Sequence, residues 1–162
     1  MTVDPELLER LRRSGIGIDR EGRFIHEGEE VRHQGLRQAL FRWLDRLPPP
    51  DGRYVLRLDA QRYAYVDVAD TPLVARSARL DRGPPERVVL GLSDGTEEPL
   101  DPDTLTIDGA GVMRAWARGG RLEARLATAA AAVLVDRITE EEGRPVLALA
   151  GRRYLLPPRR AA

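Results

Sequence analysis

The sequence predicts an α+β fold, rich in antiparallel strands and divided into two small subdomains, on three observations. Apolar residues recur with a period of two in many short runs, as in Tyr54, Leu56 and Leu58 or Leu122, Ala124 and Leu126. Stretches with helical spacing are few and stand apart from the strand runs instead of alternating with them, which argues against a parallel α/β sheet. The strand rhythm breaks at "DRGPP", Asp81 to Pro85, which sets a boundary near residue 83. Residues 1–83 then form an N-terminal α+β subdomain, and residues 84–162 a C-terminal β-rich subdomain with one helix. A chain of 162 residues is long enough to bury roughly 70% of its extended surface in such an arrangement.

The elements follow in order. Asp4 caps a first helix and Pro5 fits its first turn, with Leu7, Leu8 and Leu11 on one face and Gly15 as its stop. Ile16 and Ile18 open a strand, "DREG" turns, and Arg23 to His26 return before a second turn at Glu27 and Gly28. A longer helix follows, because Leu36, Ala39, Leu40, Trp43, Leu44 and Leu47 make one apolar stripe that ends at Pro48, Pro49 and Pro50. A hairpin pairs the run from Tyr54 with "QRYAYVDV". Strands are then expected at Leu73–Leu80, Arg87–Leu92, Leu105–Ile107, Val112–Ala117 and Arg121–Leu126. The strict alternation of the last run predicts a sheet with one dry face. Thr128 caps a helix from Ala129 to about Thr139, with Ala130, Val133, Leu134 and Ile138 inward. The acids Glu140–Glu142 would oppose the dipole at its C-terminal end. A closing hairpin turns at Ala150 and Gly151, and no sequence repeat of fixed period is present.

Composition excludes several chemistries. All 26 basic residues are arginine and are balanced by 26 acids, so the net charge is zero and the basic footprint of a nucleic-acid binder is missing. Abundant Ala, Gly and Pro beside the arginines read as codon choice in a GC-rich genome. The absence of cysteine rules out thiolate catalysis, disulfides and Cys-based metal sites. The opening "MTVDPELLERL" lacks the pattern of a signal peptide, and the longest apolar run, Leu126 to Val135, is about half a membrane span. A soluble cytoplasmic protein that binds neither nucleic acid nor membrane is the expectation.

Candidate reactive groups mostly resolve into turns. His26 and His33, with Glu27, Glu29 and Glu30 between them, match no compact metal motif, so no metal and no cofactor are expected. None of Ser14, Ser77 and Ser93 sits in a nucleophile elbow. Asp70, two residues before Pro72, fits an Asx turn, although Asp67 with Asp70 or Asp101 with Asp103 are the carboxylate pairs available for acid/base work. Gly119 and Gly120 suit a hairpin turn better than a phosphate loop. Tyr63 and Tyr65 share one strand face and Trp116 lies in a later strand, which makes them candidates for lining a ligand surface.

The order of "GIGIDREGRFIHEGEEV", an amphipathic helix, "GRYVLR", "YVDVADTPLVAR", "LSDGTEEPLDPDTLTI" and "ARGGRLEARLATAAAAVLVD" resembles a bacterial family, domain of unknown function 1285. The resemblance spans about residues 14 to 157. It rests on a His-x-Gly-like turn, His26 and Gly28, and on a Val-x-Asp-x-Pro-like segment, Val68, Asp70 and Pro72. Phe24 and Ile25 stand where the family would carry an aromatic pair with Trp, and Asp103-Thr104 replaces a His-Pro-like step. The resemblance implies two small subdomains, an α/β roll followed by a β-rich roll, and no established activity.

These readings converge on a binding module for a small molecule or a protein rather than an enzyme. Its ligand-binding residues are His26, Tyr63, Tyr65, Asp70 and Trp116, placed in a groove between the halves with arginines available for anionic groups. The alternative is a hydrolase or isomerase that uses His26 with Asp67 or Asp70 in that groove. Oligomeric state is not legible in the sequence.

Overall fold

The structure, a computed structural model, describes residues 4–159. Those residues fall into two compact units, and the chain passes from one to the other between Pro72 and Leu73. The division precedes the boundary near residue 83 because "DRGPP" lies in the connection between two strands of a single sheet.

The first unit runs α1 (Pro5–Leu11), β1 (Arg13–Ile18), β2 (Phe24–His26), β3 (Glu29–Glu30), α2 (Gln34–Trp43), β4 (Leu44–Arg46), β5 (Tyr54–Arg57) and β6 (Tyr63–Val68). Its sheet has the order β3-β2-β1-β6-β5-β4, two three-stranded meanders whose first and last strands pair in parallel at the centre. Short turns suffice within each meander, whereas a parallel joint needs a longer crossover, which α2 helps to supply. One face carries the core. Phe24 packs edge-on against Phe41 of α2 with ring centroids 4.7 Å apart, and Ile18, Leu40, Leu56 and Val66 are buried with them. Each such side chain contributes roughly 1.5–3 kcal/mol of burial free energy.

The second unit repeats this topology with β7 (Leu73–Asp81), β8 (Arg87–Leu92), β9 (Glu97–Pro99), β10 (Thr106–Ile107), β11 (Met113–Ala117) and β12 (Leu122–Leu126). The order is β10-β11-β12-β7-β8-β9, and again the first and last strands pair in parallel. A 3-10 turn at Pro102–Thr104 lies in the crossover where the first unit has a helix. α3 (Thr128–Val135) packs on β7 and β12, and its Ala130 and Leu134 are both fully buried. At one end of the sheet, the β8–β9 and β11–β12 hairpin tips are clasped together. Asp94 Oδ2 accepts from Arg118 Nη2 at 2.6 Å, and Glu98 accepts from the Arg118 backbone N–H at 3.0 Å.

Strands β13 (Ile138–Glu141), β14 (Arg144–Leu149) and β15 (Arg152–Leu155) close the unit as an antiparallel meander. Both of its turns have two residues, Glu142-Gly143 and Ala150-Gly151, all with positive φ, the geometry that matches strand twist. Ala150, at φ +52°, has no polar side chain to offset the left-handed conformation. Ala150→Gly is therefore expected to raise stability by about 0.5–1 kcal/mol, net of the greater chain entropy of glycine. An unchanged urea midpoint would contradict that assignment of strain.

Several sequence expectations are corrected. Gly15 does not stop α1; at φ +69° it sits inside β1, where the register with β6 shifts between Arg13 and Gly17. The long helix ends at Trp43, because Leu44 pairs with Leu56 in β4 and Leu47 stays buried beyond it. Leu36 and Trp43, expected inward, are exposed. α3 starts at Thr128 with Ala127 at the cap and no capping side chain, and it ends at Val135, so that Ile138 belongs to a strand. The second face of β12 is not simply wet, since Glu123 is 5% exposed and its carboxylate accepts from Arg159 at 2.5 Å. Asp4 does cap α1, its Oδ1 accepting from Glu6 N–H at 3.0 Å. The side chains of Leu8 and Leu11 lie outside what the structure describes. No described helix is long and apolar enough to cross a membrane.

Candidate functional site

Alternation along β6 puts Tyr63 and Tyr65 on the sheet face opposite the one that packs against α2. Register adds Arg57 opposite Tyr63 and Val55 opposite Tyr65, and Asp45 opposite Val55 one strand further out. The result is a layer of aromatic rings and guanidinium groups. The tyrosine rings meet edge to face with centroids 6.0 Å apart. The Arg53 guanidinium lies 4.1 Å from the Tyr65 centroid, and Arg12, just past α1, lies 4.0 Å from that of Tyr63. Arg57 stands 6.0 Å from the Tyr63 centroid on the same layer. Such stacking contributes on the order of 0.5–1 kcal/mol per pair at half-exposed sites.

Carboxylates hold the layer in place. Asp51 grips Arg53 through two bonds, Nε to Oδ1 at 2.8 Å and Nη2 to Oδ2 at 2.7 Å. Those bonds draw the Asp51 carboxyl down to about 2. Arg53 keeps Nη1 for Glu9 of α1, at 3.2 Å. Both Glu9 carboxylate oxygens lie 2.8 Å from the Tyr65 hydroxyl. The Tyr65 hydrogen bond is the largest influence lowering the Glu9 carboxyl, with Arg53 assisting. Burial first and Glu9 second push the Tyr65 phenol up. Arg57 Nε lies 3.1 Å from Asp45 Oδ2, close enough for an ion pair, yet the buried N–H is not aligned for a hydrogen bond. The start of β1 is anchored to β6, because Arg12 O accepts from Tyr65 N–H at 2.8 Å and Ser14 Oγ donates to Tyr65 O at 2.6 Å.

The other expected site residues lie elsewhere. His26 is exposed on β2 and faces away from the tyrosines, since it pairs with Ile16 while Gly17 pairs with Asp67 on the tyrosine face. Its side chain makes no hydrogen bond or ion pair among the described residues, the ring lying beside Gly15, and Asp67 is on the wrong side of the sheet to serve it. His33 caps α2, its Nδ1 accepting from Leu36 N–H at 3.1 Å. Asp70 is half-buried in the segment after β6, in the first unit. Trp116 is half-buried in the second unit, opposite Glu123 on the neighbouring strand. Glu27-Gly28 and Arg118-Gly119-Gly120 reverse the chain between strands, all with positive φ. Among the described residues no group of three or more histidine and acidic side chains is placed to hold a metal ion.

Tyr63 and Tyr65 are thus the two expected residues that the structure brings together, and Glu9, Arg12, Arg53 and Arg57 are functional candidates that the sequence reading missed. A signal existed for Arg57. Once the two runs flanking Asp59 to Arg62 form a hairpin, period two places this arginine against Tyr63.

This architecture has solved counterparts. A crystal structure of a DUF1285 family protein from Silicibacter pomeroyi DSS-3 superposes with a TM-score of 0.72 at 19% identity, covering 90% of this chain and 81% of that one. A second, from Shewanella baltica OS155, gives 0.58 at 18% identity over 73% of this chain and 87% of the other. The fold is that of these DUF1285 proteins. No family model and no curated protein matches the sequence.

Proposed function

We propose that this chain is a member of the DUF1285 family and a non-catalytic binding module, whose binding surface is the arginine–tyrosine face of the first sheet. The ordered motifs and the common fold support the membership. The observation that carries the binding role is the guanidinium of Arg12 laid over the half-buried Tyr63 ring at 4.0 Å. Its one described side-chain hydrogen bond is a long one, 3.4 Å from Nη2 to Gln61 O, and its other donors have no described hydrogen-bond acceptor. A planar cation already oriented on an aromatic ring presents a fork to an anionic group at low entropic cost. The ligand is accordingly a small molecule or protein segment that carries an anionic group.

A thermal-shift screen of anionic metabolites, nucleotides and divalent metals tests this reading, since a ligand that prefers the native state raises the melting point. The stabilising compounds are expected to be anions, and both Arg12→Ala and Tyr63→Ala should weaken them at least tenfold. Hits that are insensitive to both substitutions would remove the surface from consideration.

A further inference from the structure

The binding face already holds a carboxylate of its own, that of Glu9. This side chain comes from α1, a helix of seven residues, while the groups that receive it, Tyr65 and Arg53, belong to the sheet side of the unit. The seat has two walls and a defined chemistry: a phenol hydroxyl within 2.8 Å of both carboxylate oxygens, and a guanidinium Nη1 at 3.2 Å. Each wall also has support apart from Glu9. Arg53 is held by its two hydrogen bonds to Asp51 and by the Tyr65 ring, and Tyr65 is held in the sheet beside the fully buried Val55. The glutamate itself is open to solvent on one side, with 45% of its side chain exposed. Charge completes the picture: Arg53 pairs with Glu9, and Arg12 and Arg57 lie on the same layer of rings.

Building on the binding role above, we infer that Glu9 is a built-in occupant of a carboxylate-binding seat formed by Tyr65 and Arg53, and that α1 is displaced when a carboxylate-bearing ligand takes its place. α1 then acts as an intramolecular competitor. It weakens every carboxylate ligand by the factor with which Glu9 fills the seat, as any partly occupied site must. The ligand carboxylate is either free, on a small organic acid, or presented by an acidic side chain of a partner protein, and the seat recognises the group common to both.

The test uses the full chain and two probes, propionate as the free form of a glutamate side chain and N-acetyl-Ala-Glu-Ala-amide as the peptide-borne form. Binding is followed by the Arg53 Nε–H and Tyr65 ring resonances in NMR titrations. Glu9→Ala should bind propionate at least tenfold more tightly than the wild type, and Tyr65→Phe in that background should abolish the gain. A tenfold preference for the peptide over propionate assigns the ligand to a protein partner, and the reverse to a small acid. Glu9→Gln, which preserves the size of the side chain, should show a smaller gain in the same direction and covers any loss of folding in the alanine variant. Equal propionate affinity in the wild type and in a folded Glu9 variant overturns the competitor role. That result leaves the Arg12–Tyr63 surface to its own test, which reads different residues.

Discussion

Leu134→Ala is expected to destabilise the second unit by about 3–5 kcal/mol, the upper part of the range for deletion of a buried leucine. Leu134 is 0% exposed on the inner face of α3, above β7 and β12. The residues around it explain the size of the effect. The strands beneath α3 are pinned in a six-stranded sheet, and the fully buried Ala75 and Ala124 that they carry have no side chain to repack. Small side chains held on paired strands cannot swing into a vacated volume, so the void stays open and its lining loses dispersion contacts outright. Against a typical net stability of roughly 5–15 kcal/mol, such a loss moves a urea midpoint by a large fraction of its value. Unfolding followed by Trp116 fluorescence in a Trp43→Phe background reads the second unit directly. Leu155→Ala is the control: Leu155 is 52% exposed and should lie within about 0.5 kcal/mol of the parent. Equal effects at the two positions would mean that α3 does not close the core of this unit.

Legibility of the fold in the sequence followed the physics of each element. Strands declare themselves through short runs of apolar residues at period two, and the hairpin from Tyr54 to Val68 and the strands at Leu73, Arg87 and Leu122 lie where such runs put them. The misread positions satisfy two periods at once. Leu40, Leu44 and Leu47 fit a helical stripe, yet Leu44 and Leu47 are buried equally well in and beyond a short strand, and only the partner strand at Leu56 decides between the two. Ile138 is the same case, four residues after Leu134 and therefore in helical phase with it, but paired with Leu147. The duplicated six-strand topology had no sequence signature because backbone pairing defines it. The central position held by Tyr65 in one unit is held by Ala124 in the other.

The candidate site was half legible for a related reason. Tyr63 and Tyr65 are neighbours in a strand, so their common face is a local property that any sequence reading can reach. Glu9 meets Tyr65 across 56 positions of chain, and Arg53 meets Glu9 across 44, contacts that depend on where α1 comes to rest. His26 shows the converse. Its neighbours in sequence suggested chemistry, while the pleat turned it to the face away from the tyrosines.

Asp94→Ala is expected to cost about 2–4 kcal/mol at neutral pH, because it removes a buried carboxylate that accepts one bond from Arg118 and two from Thr96. The Asp94 side chain is 1% exposed; its Oδ1 accepts from Thr96 N–H at 2.9 Å and Oγ1 at 2.6 Å, and its Oδ2 from Arg118 at 2.6 Å. Burial alone would raise this carboxyl, but the bonds from Thr96 and Arg118 outweigh it and hold it below its ordinary value of 3.8. The sign of the pH dependence follows. With the folded value below the unfolded one, the contribution is complete above about pH 4 and is lost as the pH falls through the depressed folded value. Asp94→Asn keeps an acceptor for Thr96 but discards the charge that faces Arg118, so it should cost less, about 1–2 kcal/mol at pH 7. Its deficit relative to the wild type should shrink on acidification, because protonation turns the wild-type side chain into a neutral group as well. Urea midpoints of the three proteins at pH 7 and pH 3 measure both effects. A gap that widens in acid, or an alanine variant as stable as the wild type, would mean that the clasp between the Asp94 and Arg118 hairpin tips does not hold the sheet together.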